Sequence, residues 1–207
     1  MSFVFILGIA GAAKSQEEKD KAVNRYFISA FFGLRGAGLQ GEVQFSSRWL
    51  TYARYSGYNL KPGSLPSNYD PGYTNIVGFQ FTENPTEPLN AVSVGAGRVL
   101  TRPGQKGWVA VKTGLAIANA TTLKFYPAGT VNEINLILIG GRDASHTHTE
   151  TKHSGIGGHF AIEGNLNVSR IFGFGFGVET IVFGPRSTVQ PYLSLNLGHM
   201  KPRKKAS

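Results

Sequence analysis

From position 158 the chain reads Gly158-His159-Phe160-Ala161-Ile162-Glu163-Gly164-Asn165-Leu166-Asn167-Val168, and after Ser169-Arg170-Ile171 it continues Phe172-Gly173-Phe174-Gly175-Phe176-Gly177-Val178-Glu179-Thr180-Ile181-Val182. Apolar residues and glycine fill every second position over both runs, Thr180 being the one exception. Successive side chains of a strand point to opposite faces, so this alternation marks two strands with unlike faces. One face of the first carries Phe160, Ile162, Leu166 and Val168, and the other His159, Ala161, Glu163, Asn165 and Asn167. In the second, Phe172, Phe174, Phe176, Val178 and Val182 oppose Gly173, Gly175, Gly177, Glu179 and Ile181. A third run sets Val189, Pro191, Leu193, Leu195 and Leu197 against Gln190, Tyr192, Ser194 and Asn196. Short turns near Ser169-Arg170 and Gly184-Pro185-Arg186 join the three into an antiparallel meander.

The same period extends toward the N-terminus. Trp108 to Ala118 places Val109, Val111, Leu115 and Ile117 opposite Ala110, Lys112, Gly114 and Ala116. Leu39 to Ser47 sets Leu39, Val43 and Phe45 against Gln40, Glu42, Gln44 and Ser46. With runs at 26–34, 49–55 and 89–101, the pattern predicts eight strands. The connections at roughly 58–88 and 119–154 are long, those near Ser47, Gly104 and Arg170 are short, and those near Arg35 and Gly184 are modest. Such segregation of long and short connections is what an up-and-down barrel spanning an outer membrane requires. The expected fold is therefore all-β, an eight-stranded antiparallel up-and-down transmembrane barrel.

Alternation alone does not say which face meets lipid. A lipocalin-like soluble barrel would turn its apolar face inward around a greasy ligand, and this stays open as the alternative. Three features favour lipid. The polar face is built of small residues, as the narrow interior of an eight-stranded barrel demands. Its charges have both signs, Glu42, Glu163 and Glu179 with Lys112 and Arg54, so they can pair in the lumen. The apolar face of the last three strands carries no charge, unlike a water-exposed surface.

Composition agrees. The 207 residues include 27 glycines, 12% aromatics and only 16% charged residues, the reverse of a disordered chain. Cysteine is absent, which excludes disulfides and cysteine-type zinc sites. The apolar run Phe3 to Ala13 is too short to cross a bilayer as a helix and fits the core of a signal peptide. The expected organisation is a signal peptide over 1–15, a periplasmic segment over 16–24, the barrel over 25–200 and a basic tail over 201–207. The net charge of +9 draws on that tail, through Lys201, Arg203, Lys204 and Lys205; the remaining cations are scattered, so no nucleic-acid partner is expected.

The stretch Ser154 to Asn165, with Phe174-Gly175-Phe176-Gly177, Leu193-Ser194-Leu195-Asn196-Leu197-Gly198, Gly38-Leu39-Gln40-Gly41 and Ala53-Arg54-Tyr55, resembles small outer-membrane β-barrel proteins of the Bacteroidota. That resemblance implies a fold and a location, the bacterial outer membrane, rather than an activity. The last strand departs from the aromatic terminus common among such barrels, ending near Leu197-Gly198-His199-Met200.

Few residues invite chemistry. His146, His148 and His153, with Glu150 between them, could hold zinc, nickel or copper, or could simply belong to a polar loop. Glu163 and Glu179 could form a catalytic carboxylate pair, but lumenal ion pairing explains them without a substrate. No nucleophile elbow or phosphate-cradling loop appears, and no catalytic residue or cofactor is expected. The greasy segment Val131 to Gly141 suits either a strand extension or a docking surface. The expected role is a non-enzymatic barrel in contact with outer-membrane lipid, structural or joined to other envelope proteins through the connections at 58–88 and 119–154.

Overall fold

A computed structural model describes residues 25–46, 48–77, 79–82, 84–101, 106–129, 133–135 and 139–199. The expected signal peptide, the segment 16–24 and the basic tail lie outside these residues. Eight strands close into one barrel: β1 (Arg25–Gly33), β2 (Gly36–Gln44), β3 (Trp49–Leu60), β6 (Glu87–Val99), β7 (Gly107–Pro127), β10 (His146–Asn167), β11 (Phe172–Val182) and β12 (Thr188–His199). Each pairs antiparallel with its neighbours, and β1 meets β12 to complete the ring. Closure leaves no free edge in the wall, the condition for a sheet inside hydrocarbon. Four shorter strands, β4 (Tyr73–Ile76), β5 (Phe79–Phe81), β8 (Glu133–Asn135) and β9 (Ile139–Arg142), form a separate sheet in the order β5-β4-β9-β8.

The outer wall is apolar. Leu193 is 68% exposed and Phe176 66%, while Lys112, on the inward face of β7, is fully buried. On β7 the outward apolar run from Val109 to Ile117 ends at Asn119; on β10 the run from Leu166 to Ile156 ends at Ser154. Runs of this length match the roughly 9–11 residues of a tilted bilayer crossing. Asn90, Asn119 and Ser154 then stand side by side, Ser154 Oγ donating to Asn119 Oδ1 at 2.6 Å, and Tyr55 reaches Asn90 Oδ1 at 3.2 Å. This polar collar closes the belt at the end far from the termini.

Inside, bulk and glycine are matched. A Cβ on Gly177 would lie 2.7 Å from the Tyr192 ring, one on Gly114 2.7 Å from the Tyr52 hydroxyl, and one on Gly38 would overlap the Phe31 ring. These rings thus occupy the space of side chains missing on the neighbouring or next-but-one strand. Pro191, which cannot donate to a ladder, sits beyond the last β1–β12 pair, Gly33 with Tyr192, so its missing N–H costs no bond on that side.

Two connections differ from the expectation. The segment 119–154 is not mainly loop: β7 runs to Pro127 and β10 starts at His146, in unbroken register from His146–Pro127 to Leu166–Gly107. Ten residues beyond Ile117 carry this hairpin about 33 Å of strand past the belt. Likewise β3 continues to Leu60 rather than ending at Tyr55, and the connection that follows holds β4 and β5.

Candidate functional site

The lumen is where the buried chemistry lies. At its centre Lys112 Nζ stands 2.5 Å from Glu42 Oε2 and 2.8 Å from Glu163 Oε2, with all three side chains out of contact with water. Tyr192 donates to Glu163 Oε2 at 2.8 Å, and Asn165 Nδ2 to Glu163 Oε1 at 2.8 Å. A second cluster lies beside the first. Arg54 meets Glu179 at 2.9 Å, Ser56 donates to the same carboxylate at 3.2 Å, and the guanidinium is stacked 3.6 Å from the Phe31 ring centre and 4.4 Å from that of Tyr192. Gln40 joins the clusters, accepting from Arg54 at 3.0 Å and donating to Glu42 and Glu163 at 3.4 Å.

Strand order explains the pairing. Glu42, Lys112 and Glu163 come from β2, β7 and β10, so the lysine reaches one carboxylate on its neighbour and one across the barrel. Glu179 on β11 lies toward Arg54 on β3. Lys112 therefore binds Glu42 and Glu163 but not Glu179, so a shared Lys112–Glu163–Glu179 centre does not form. Sequence reasoning missed two members. Arg25 is buried, 4.7 Å above the Trp108 ring and within electrostatic reach of Glu42. It balances three lumenal carboxylates with a third cation. His159 bridges Tyr52 and Glu179, at 2.7 Å from the phenol and 3.2 Å from the carboxylate. A carboxylate only accepts, so Nε2 carries the proton and Nδ1 accepts from Tyr52. His159 alternates with Ala161 and Glu163 on the small-residue face, a signal available in the sequence.

Apolar clusters close this polar layer on both sides. Toward the termini lie Phe27, Leu50, Tyr52, Val99, Trp108 and Ala110; toward the far end lie Tyr58, Leu60, Leu89, Ala91, Ala118, Ala120, Ile181 and Phe183. The interior is a packed salt-bridge core between two plugs. Filled among the described residues by charged, polar and aromatic side chains, with the apolar face turned outward, this interior is the reverse of a lipocalin.

The histidines do not converge. His146 and His148 share a face of β10, whereas His153 lies on the other. His146 contacts Ser145 Oγ at 2.8 Å and packs near Tyr69, His148 packs on Phe125, and His153 Nε2 lies 3.0 Å from Thr122 Oγ1. Among the described residues no group of three histidines or carboxylates is placed to hold a metal. His146 instead helps to fasten the connection that carries Tyr69, while His148 and His153 contact β7 within their own hairpin. Tyr69 packs against Phe125 as well as His146; Asp70 pairs with Arg142, and its backbone exchanges hydrogen bonds with Ser145. Gly72, at φ +70, lets the chain pass against the backbone of Arg142 and Asp143, where a Cβ would collide. Ser64 donates to the Leu123 carbonyl at 2.5 Å, and Glu87 accepts from the amides of Gly63 and Leu123 and pairs with Arg186 at 3.1 Å.

With an apolar exterior, an ionised interior and no edge, the chain is a transmembrane barrel of the bacterial outer-membrane type. The N-terminal β-barrel domain of Pseudomonas aeruginosa OprF shares the fold, at 13% identity and a TM-score of 0.51 over 86% of this chain and 99% of that one. Ail, the attachment invasion locus protein of Yersinia pestis, aligns at 9% identity and a TM-score of 0.41 over 86% of this chain and 95% of its own. Its structure in a phospholipid bilayer nanodisc aligns at 12% and 0.43, over 84% and 99%. No family model and no curated protein matches the sequence. The likeness to the OprF domain is one of fold.

Of the greasy segment, Leu136, Ile137 and Leu138 lie outside the described residues. Ile134 on β8 and Ile139 on β9 are half exposed, in the small sheet rather than in the barrel.

Proposed function

We propose that this protein is a non-enzymatic outer-membrane barrel that holds a rigid platform above the cell surface, with both termini in the periplasm. The carrying observation is the pairing of a plugged, salt-bridged lumen with an outer assembly built from the long connections. A filled lumen leaves the exposed outer assembly to act. The β7–β10 hairpin projects past the polar collar, and the Asp70–Arg142 and Glu87–Arg186 pairs tie the neighbouring connections to it and to the barrel rim. This supports a role in contacts with other envelope components. Residues 1–15 would serve as the export signal, and the resemblance to barrels of the Bacteroidota suggests the kind of envelope concerned.

Reconstitution tests it. The chain refolded into phosphatidylcholine vesicles should give a heat-modifiable band and no ion conductance in planar bilayers. Steady open conductance would refute a platform on a sealed barrel.

A further inference from the structure

The small outer sheet has two unlike faces. The pairs Phe79–Ile76, Ile76–Ile139, Phe81–Thr74, Thr74–Gly141 and Gly141–Ile134 put Ile76, Phe79, Phe81, Ile134 and Ile139 on one side. Tyr73, Asn75, Gln80 and Arg142 take the other, where Arg142 reaches back to Asp70. The polar face is thus tied to the rest of the molecule, and the apolar face is bare: Phe79 is 71% exposed, Phe81 57%, and the three isoleucines about half. The turn between β4 and β5 adds Val77, a β-branched residue at φ +51, where glycine or asparagine would be unstrained. An apolar sheet face needs a second layer, and the described residues supply none.

We infer that the second layer is the same face of another copy of this chain, so that two outer sheets stack into a sandwich that joins two barrels. This rests on the membrane-barrel reading. Area supports it: the exposed parts of two phenylalanines and three isoleucines offer several hundred Å² per copy, so two stacked faces would bury on the order of 1,000 Å² in total, the lower bound for a specific interface. Orientation supports it too, because copies inserted in one bilayer present their sheets at one height and are concentrated in two dimensions. A two-fold contact of this kind needs only one self-complementary patch.

The chain has no cysteine, so single-cysteine variants report cleanly. Phe81→Cys, Ile76→Cys and Gln80→Cys, each refolded into phosphatidylcholine vesicles, would be treated with a short bis-maleimide that spans the roughly 10 Å between stacked sheets. Covalent dimers should form several-fold faster at Phe81→Cys and Ile76→Cys than at Gln80→Cys on the opposite face, and adding Phe79→Ser should abolish the difference. Equal rates at all three sites, or no dimer at any of them while the barrel band stays heat-modifiable, would overturn the inference. Loss of the heat-modifiable band in every variant and in the parent would count against the membrane barrel, and the inference would fall with it.

Discussion

Lys112→Met is the sharpest test of the lumen. The lysine ammonium lies 2.5 and 2.8 Å from two buried carboxylates, and methionine keeps much of its volume while removing the charge. Glu42 would then keep only the long Gln40 contact and the field of Arg25, and Glu163 only its bonds to Tyr192, Asn165 and Gln40. Breaking a buried pair by removing one partner costs about 3–5 kcal/mol. The expected loss for Lys112→Met lies in that range, read from urea unfolding in lipid vesicles. Glu163→Gln in the same chain should recover part of it, because the amide removes the stranded charge and keeps the shape. Since Glu179 is held by Arg54 rather than Lys112, Glu179→Gln should recover little, with a coupling to Lys112 clearly smaller than that of Glu163, the two clusters touching through Gln40 and Tyr192. A double-mutant cycle separates these outcomes. Additive losses for Lys112 with Glu163, or equal couplings to Glu163 and Glu179, would refute the two-cluster account.

Three further outcomes follow from the geometry. Phe176→Arg, on the outward face at mid-strand, should cost about 2–4 kcal/mol of folding free energy in bilayers, whereas Gly184→Arg, in a turn where a Cβ meets nothing within 4 Å, should cost little. Gly177→Val should destabilise by about 1–3 kcal/mol through collision with Tyr192 and the Ile162 carbonyl, while Gly41→Val, on the outer wall with open space around its Cβ, should leave unfolding unchanged. Tyr69→Ala should speed amide hydrogen exchange across residues 61–72 and 139–148 without altering the heat-modifiable barrel, because Tyr69 packs on Phe125 and His146 outside the wall.

The barrel strands were legible because lipid on one side and a packed lumen on the other impose contrast at every second residue. Phe160, Ile162 and Leu166 against His159, Ala161 and Glu163 show it directly. That contrast ends where both faces meet water. Thr147, Thr149 and Thr151 oppose His148, Glu150 and Lys152, polar against polar, so the outer half of β10 reads as loop although its ladder to β7 is unbroken. The small sheet escaped notice because its strands are three or four residues long and pair across distant connections. In the lumen, face membership was readable and partnership was not. Alternation puts Glu42, Arg54, Lys112, Glu163 and Glu179 inside, but closure of β1 on β12 decides which of them meet. Arg25 stood at the very start of β1, without a run before it to reveal its face.

The central claim is that the apolar face meets hydrocarbon. Single nitroxide labels on cysteines placed at Leu115, Ile162, Val178 and Leu193 would measure it, by comparing relaxation with oxygen, which enters the bilayer, and with a water-soluble nickel chelate, which does not. The account predicts high oxygen and negligible nickel accessibility at all four positions in phospholipid vesicles. Nickel accessibility at these positions equal to that of a label at Gly184 would mean that the face is bathed in water, and would contradict it.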